Sequence, residues 1–82
     1  MAEHVGHLSR LAIDMPGNDR LWFTIRELAA SGEPKFYVER ATVGSDRYDK
    51  IFAVLLTALT HDKRVLFDDE NSIIRWILIY PN

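Results

Sequence analysis

Ser45 to Lys63, SDRYDKIFAVLLTALTHDK, is the one segment of the chain whose apolar residues recur at helical spacing. Tyr48, Ile51, Phe52, Leu55, Leu56 and Leu59 fall at i, i+3, i+4, i+7, i+8 and i+11, a single continuous stripe. Ser45 or Asp46 supplies the N-cap, Asp46 and Asp49 carry negative charge where the helix dipole favours it, and Lys63 and Arg64 follow at the other end. Burying six such side chains does not by itself offset the entropy of ordering the segment, so the stripe needs a partner surface. Everything else in the chain reads as β-strand.

With 82 residues there is room for one domain, residues 1–82, close to the size at which a single core only just suffices. The sequence contains no cysteine, which removes both a disulfide framework and a thiolate metal site and leaves packing, within or between subunits, as the source of stability. A hydrophobic fraction of 48% and a charged fraction of 27% are those of a globular protein, and a net charge of −2 offers no general attraction to nucleic acid or an anionic membrane. The N-terminal MAEHVGHLSR lacks the basic start and apolar run of a signal peptide, and no apolar stretch approaches the roughly twenty residues of a membrane span. As written the chain reads as soluble and cytoplasmic; a mature secreted domain restarted at a new Met1 would read the same.

The first strand is expected from about Val5 to Ile13, with a bulge near Ser9 or Arg10 to reconcile Leu8 and Leu11, which strict alternation puts on opposite faces. Met15-Pro16-Gly17-Asn18 has the composition of a type II turn. Arg20 to Glu27 alternates with Leu21, Phe23 and Ile25 on the core face and Arg20, Trp22, Thr24 and Arg26 on the other. Leu28 to Pro34 reads as a small-residue loop, and Lys35 to Ala41 as a third strand with Phe36 and Val38 inward and Lys35, Tyr37 and Glu39 outward. After the helix, which stops near His61 or Asp62 with no glycine C-cap, one of those two residues is expected to turn left-handed. Arg64 to Asp68 is a short fourth strand, Asp69-Glu70-Asn71 a turn, and Ser72 to Tyr80 a fifth strand that is apolar on both faces. Such a strand is either covered twice or placed at a subunit contact. The second alternative is the expectation here, with Ile73, Arg75, Trp76, Ile77 and Tyr80 as the oligomer interface.

The chemistry-bearing residues form no catalytic pattern. The serines lie in no GxSxG elbow, and no HExxH, P-loop or GxGxxG occurs, so neither an enzyme nor a bound cofactor is expected. Asp68-Asp69-Glu70-Asn71 lacks the regular oxygen spacing of a calcium loop and reads as an acidic hairpin turn. His4 and His7, three apart on a strand, point to opposite faces and are poorly placed to share a metal. The outer face of the second and third strands is the candidate binding surface, because Arg20, Trp22, Arg26, Lys35 and Tyr37 interleave cations with aromatics. Against that stands a plain cross-strand pairing of Trp22 with Tyr37. Glu27, Glu33 and Glu39 nearby make single-stranded nucleic acid a poorer ligand than a sugar, which carries no charge requirement.

Strand, strand, strand, helix, strand, strand is an α+β, mainly β arrangement, and with one helix between strands 3 and 4 it looks like the OB-fold, a small five-stranded Greek-key barrel. The run from LSRLAID through LWFTIRE and KFYVERA to YDKIFAVLLTALTHDKRVLF, over roughly Leu8 to Tyr80, resembles the B subunits of pertussis- and subtilase-cytotoxin-like bacterial toxins. The resemblance implies a ring-shaped homo-oligomer, a pentamer, that binds cell-surface oligosaccharide. Two features depart from that family: the chain has no cysteine where the toxin subunits commonly carry a disulfide, and it shows no secretion signal. The expectation is therefore a non-catalytic, self-associating binding module. Its alternatives are a single-stranded nucleic-acid-binding OB-fold and a protein-interaction or immunity-type accessory subunit.

Overall fold

Residues 2–13 and 19–80 are described in the computed structural model; the expected turn at Met15-Pro16-Gly17-Asn18 lies outside them. The strands and the long helix follow the expected order, but the third strand, expected to reach Ala41, ends at Glu39 and a one-turn helix follows it: β1 (Ala2–Ile13), β2 (Arg20–Ile25), β3 (Phe36–Glu39), α1 (Arg40–Val43), α2 (Ser45–Thr60), β4 (Arg64–Glu70) and β5 (Ile73–Ile79). They form one five-stranded mixed sheet. β1 pairs antiparallel with both β2 and β4, β2 with β3, and β4 with β5. β3 meets β5 in parallel at Tyr37 and Ile73, so the pairings β1-β2-β3-β5-β4 return to their start.

The period-2 alternation of each strand decides what fills the space inside. Leu21, Phe23 and Ile25 of β2, Phe36 and Val38 of β3, Val65 and Phe67 of β4 and Ile74 of β5 are all buried in one cluster. At its centre three phenylalanines meet, with ring centroids 4.9 Å apart for Phe36 and Phe67, 5.2 Å for Phe23 and Phe67, and 5.8 Å for Phe23 and Phe36. The edge-on geometry of the two Phe67 pairs suits the ring quadrupoles. Helix α2 adds Tyr48, Ile51, Leu55 and Ala58 to the same cluster. The buried face is narrower than the expected stripe: Phe52 is only partly covered, and Leu56 and Leu59 are exposed. Ala58 takes a place that the stripe of larger residues did not include.

Two bulges reset the faces. In the β1–β2 ladder the register jumps between Leu8 and Arg10, leaving Ser9 as the extra residue, which lets Leu8 be buried while Leu11 also packs on the core. In the β4–β5 ladder Asp69 pairs with Ile74 but Asp68 with Trp76, so Arg75 is extra. The consequence is specific. Ile74 and Ile77 both join the core, whereas Trp76 and Leu78 stand exposed on the outside.

Local chain reversals differ from the sequence expectation where backbone geometry outweighs side-chain pattern. The segment expected as a loop from Leu28 begins earlier, as a 3-10 turn over Arg26–Ser31 closed by Gly32 at φ 90°, so β2 ends at Ile25. Because α1 runs directly into α2, the chain reverses through Gly44 at φ 89°, and Gly44 rather than Ser45 or Asp46 stands at the N-cap. At the other end Asp62, one of the two expected residues, is left-handed at φ 52°. β4 continues to Glu70, which moves the hairpin turn to Asn71 and Ser72, with φ of 54° and 68°. Positive φ at both central residues marks a type I′ turn, whose twist matches that of the flanking strands.

Gly6 sits where β1 passes closest to β2 and the 3-10 turn: a Cβ there would lie 2.5 Å from Ile25 Cγ2 and 2.7 Å from Glu27 Oε1. Ile25 is fully buried and cannot retreat. Gly6→Ala is expected to lower stability by about 1–3 kcal/mol. Phe67→Ala, which opens a cavity among the three rings, is expected to cost about 3–5 kcal/mol. Urea unfolding followed by far-ultraviolet circular dichroism checks both; a smaller loss for Phe67→Ala than for Gly6→Ala would contradict this description of the core.

Candidate functional site

The outer face of β1, β2 and β3 carries most of the residues expected to bind a ligand. Trp22 and Tyr37 are direct register partners across β2 and β3, and Arg20 lies opposite Glu39. Each ring is approached by a cation: Lys35 Nζ stands 4.6 Å from the Trp22 ring, and the Arg20 guanidinium 4.6 Å from the Tyr37 ring. Arg10, from the neighbouring β1, lies 5.3 Å from Trp22 and also pairs with Glu33 at 2.8 Å. The cross-strand ring pair and its flanking cations thus share one face. The rings are half-buried in a ladder of cations worth about 0.5–1 kcal/mol per exposed contact, while Arg10, Arg20 and Lys35 themselves are exposed and can swing aside for a ligand.

Arg26 does not belong to this group. It opens the 3-10 turn instead of continuing β2, and its guanidinium lies 3.5 Å from Asp62 beyond the end of α2. Alternation placed it with Trp22; the early end of β2 removes it. Arg10 is the residue that reasoning from the sequence left out, because which β1 side chain stands beside Trp22 depends on whether the bulge falls at Ser9 or at Arg10.

The residues expected at a subunit contact divide in the same way. Ile77 packs on the core, Ile73 is half-buried beside Tyr37, and Tyr80 is half-buried against Arg64, 4.8 Å from ring to guanidinium. Arg75 is exposed and pairs with Glu70 at 2.7 Å. Trp76 is 38% exposed. Its outward neighbours extend the surface beyond β5, since Val5, Leu66 and Leu78 are register partners in one row across β1, β4 and β5. Val5 and Leu78 are 40% and 42% exposed. The adjacent row is Glu3, Asp68 and Trp76. Asp68 is only 4% exposed, and its Oδ1 has no hydrogen-bond partner among the described residues.

The histidines and the acidic run have separate local roles. His4 Nε2 is 2.6 Å from Asp69 Oδ1, with the imidazole tilted against two phenylalanines, ring centroids 5.2 Å from Phe36 and 5.1 Å from Phe67. Asp69 Oδ2 also accepts the Ser72 backbone N–H at 3.0 Å, tying the type I′ turn to β1. His7 uses Glu27: its backbone N–H donates to Oε1 at 2.7 Å, and its Nδ1 lies 2.5 Å from Oε2. Asp69 and Glu70, expected in the turn, continue β4 beyond Asp68, and the three carboxylates of the run go to three different surroundings. Among the described residues, no three histidine or carboxylate side chains converge as metal ligands.

No protein-family model, curated protein or solved structure matches this chain. The assignment of function therefore rests on the residues just described. Among the described residues, no helix is long and apolar enough to cross a membrane.

Partial burial pushes the Glu27 carboxyl up, but the backbone and side-chain hydrogen bonds from His7 outweigh it and hold the group below its ordinary value of 4.5. A carboxylate whose folded-state value is depressed contributes stability that is present above its unfolded value and lost as pH falls through the lower, folded value. The stability difference between the wild type and Glu27→Gln is therefore expected to shrink as pH falls from about 6 to about 3, as read by urea unfolding at each pH. A difference that stays constant over that range would show that the His7 contacts do not favour the ionised form.

Proposed function

We propose that this protein is a non-catalytic, self-associating binding module of the OB-fold type, and that its ligand class is oligosaccharide. The observation that carries the reading is the pairing order β1-β2-β3-β5-β4 returning to β1, with a helix between the third and fourth strands and an aromatic surface on the outside of β1, β2 and β3. That order is the arrangement expected of a small Greek-key barrel. Trp22 and Tyr37 supply adjacent ring faces for the apolar face of a sugar, and Arg10, Arg20 and Lys35 supply donors for its hydroxyls. Glu33 and Glu39 beside those cations balance the charge of the face, which suits a neutral ligand better than a polyanion.

Self-association is supported by Val5 on β1 and Leu78 on β5, 40% and 42% exposed, with the half-buried Leu66 of β4 between them in one row. A ring of copies is the form that the resemblance to toxin B subunits implies.

Two measurements test the reading. On a glycan array the protein is expected to bind at least one oligosaccharide, with binding lost in Trp22→Ala and Tyr37→Ala variants that retain the wild-type circular dichroism spectrum. Absence of binding, or binding indifferent to both substitutions, would overturn the ligand assignment; affinity for oligonucleotides that falls steeply with added salt would support the nucleic-acid alternative instead. In sedimentation equilibrium the wild type is expected to associate and Leu78→Asp to dissociate. A strict monomer at all concentrations would overturn self-association.

A further inference from the structure

A second surface, separate from the Trp22 face, lies between α2 and β5. A groove of about 430 Å³ is bordered by Val43 and Arg47 on the helical side and by Ile73 and Arg75 on the strand side. A smaller hollow of about 210 Å³ shares Arg47 and Arg75 with it and is walled by Lys50 and Trp76. The two are therefore neighbours across the Arg47 and Arg75 side chains, and together they fall within the size range of small-molecule sites.

The charge of this groove runs against that of the protein. Arg47, Lys50 and Arg75 place three cations on it, and Glu70 is the one carboxylate that lines it. Glu70 pairs with Arg75 at 2.7 Å, whereas Arg47 and Lys50 have no ion-pair partner among the described residues. The site thus holds a formal local charge of +2, from three cations and one carboxylate, in a chain of net charge −2. Arg47 and Lys50 stand three residues apart on α2, one turn along the same face. Arg75 is presented from the opposite side because the β5 bulge leaves it unopposed, and the same bulge turns Trp76 outward beside it.

The geometry points to a binding site for a phosphate monoester carried on a ring. A dianionic phosphate matches the local charge of +2 better than a single carboxylate does, and guanidinium groups offer it paired donors. The exposed Trp76 indole is the surface on which a sugar or base attached to that phosphate lies. This site is independent of the oligosaccharide reading, since it uses other residues on another part of the molecule.

Glucose 6-phosphate, adenosine monophosphate and inorganic phosphate distinguish the possible sources, with glucose and adenosine as uncharged controls. Amide and indole NMR shifts of the wild-type chain are followed during each titration. Saturable shifts centred on Arg47, Lys50, Arg75 and the Trp76 indole are expected with one or both phosphate esters and with neither control. The Arg47→Gln, Lys50→Gln double variant, which changes only exposed side chains, is expected to weaken binding about tenfold or more. Trp76→Ala is expected to weaken the esters while leaving inorganic phosphate unchanged. No saturable shift up to about 10 mM ligand, inorganic phosphate binding as well as the esters, or undiminished binding in the double variant would overturn the proposal. Because binding is read at Arg47, Lys50, Arg75 and the Trp76 indole, and not at Trp22 or Tyr37, a failure here leaves the oligosaccharide test intact, and the reverse holds.

Discussion

One hydrogen bond organises the outside of this molecule: the Tyr37 backbone N–H donates to the Ser72 carbonyl at 2.8 Å, beside the parallel bridge between Tyr37 and Ile73. Without it β3 and β5 would be free edges, each presenting unpaired backbone groups to any passing strand. With it the sheet has a continuous inner surface, and the side chains of all five strands converge on the Phe23, Phe36 and Phe67 rings. The type I′ turn at Asn71 and Ser72 sets up the contact, and Asp69 holds that turn by accepting the Ser72 N–H while its other oxygen meets His4. Asp69, within the acidic run, thus supports the turn that brings β5 beside β3.

Helix α2 depends on the same inner surface. Tyr48, Ile51, Leu55 and Ala58 have somewhere to go because the strands enclose an apolar space, and Arg40 fastens the entry to the helix. The Arg40 guanidinium lies 4.2 Å from the Tyr48 ring and within 4 Å of both Asp19 and Asp49, at 3.8 and 3.7 Å. Its backbone N–H also donates to the Asp19 carbonyl at 2.8 Å. One residue therefore links the start of β2, the end of β3 and the first turns of α2.

Much of the architecture was legible because periodicity is a strong signal. Leu21, Phe23 and Ile25 alternate, Tyr48, Ile51 and Leu55 repeat helically, and both patterns lie where the structure puts them. The crowding of Leu8 and Leu11 also announced the first bulge. What was not legible follows from backbone events that leave little trace in composition. The bulge at Arg75 changes which of Ile74, Trp76 and Ile77 face outward, so a strand that reads as apolar on both faces in fact packs Ile74 and Ile77 inside and exposes Trp76 and Leu78. The early end of β2 separates Arg26 from Trp22. Arg40 escaped notice because its partners Asp19, Tyr48 and Asp49 are remote or lie on another element, and a strand-end arginine has no distinguishing local pattern. Similarly, the groove shared by Arg47, Lys50 and Arg75 exists only once α2 and β5 are side by side.

The functional reading depends on which side chains are left on the outer face of the five-stranded sheet. If the pairing of β3 with β5 failed, Tyr37 would sit at a frayed edge and Ile73 and Trp76 would no longer hold fixed positions. Native-state hydrogen exchange of the Tyr37 amide tests this most directly. It is expected to exchange only through global unfolding, as slowly as the amides of Phe23 and Phe67 in the centre of the sheet. Exchange as fast as that of an exposed loop amide, with Phe23 and Phe67 still protected, would show an open sheet and contradict the account.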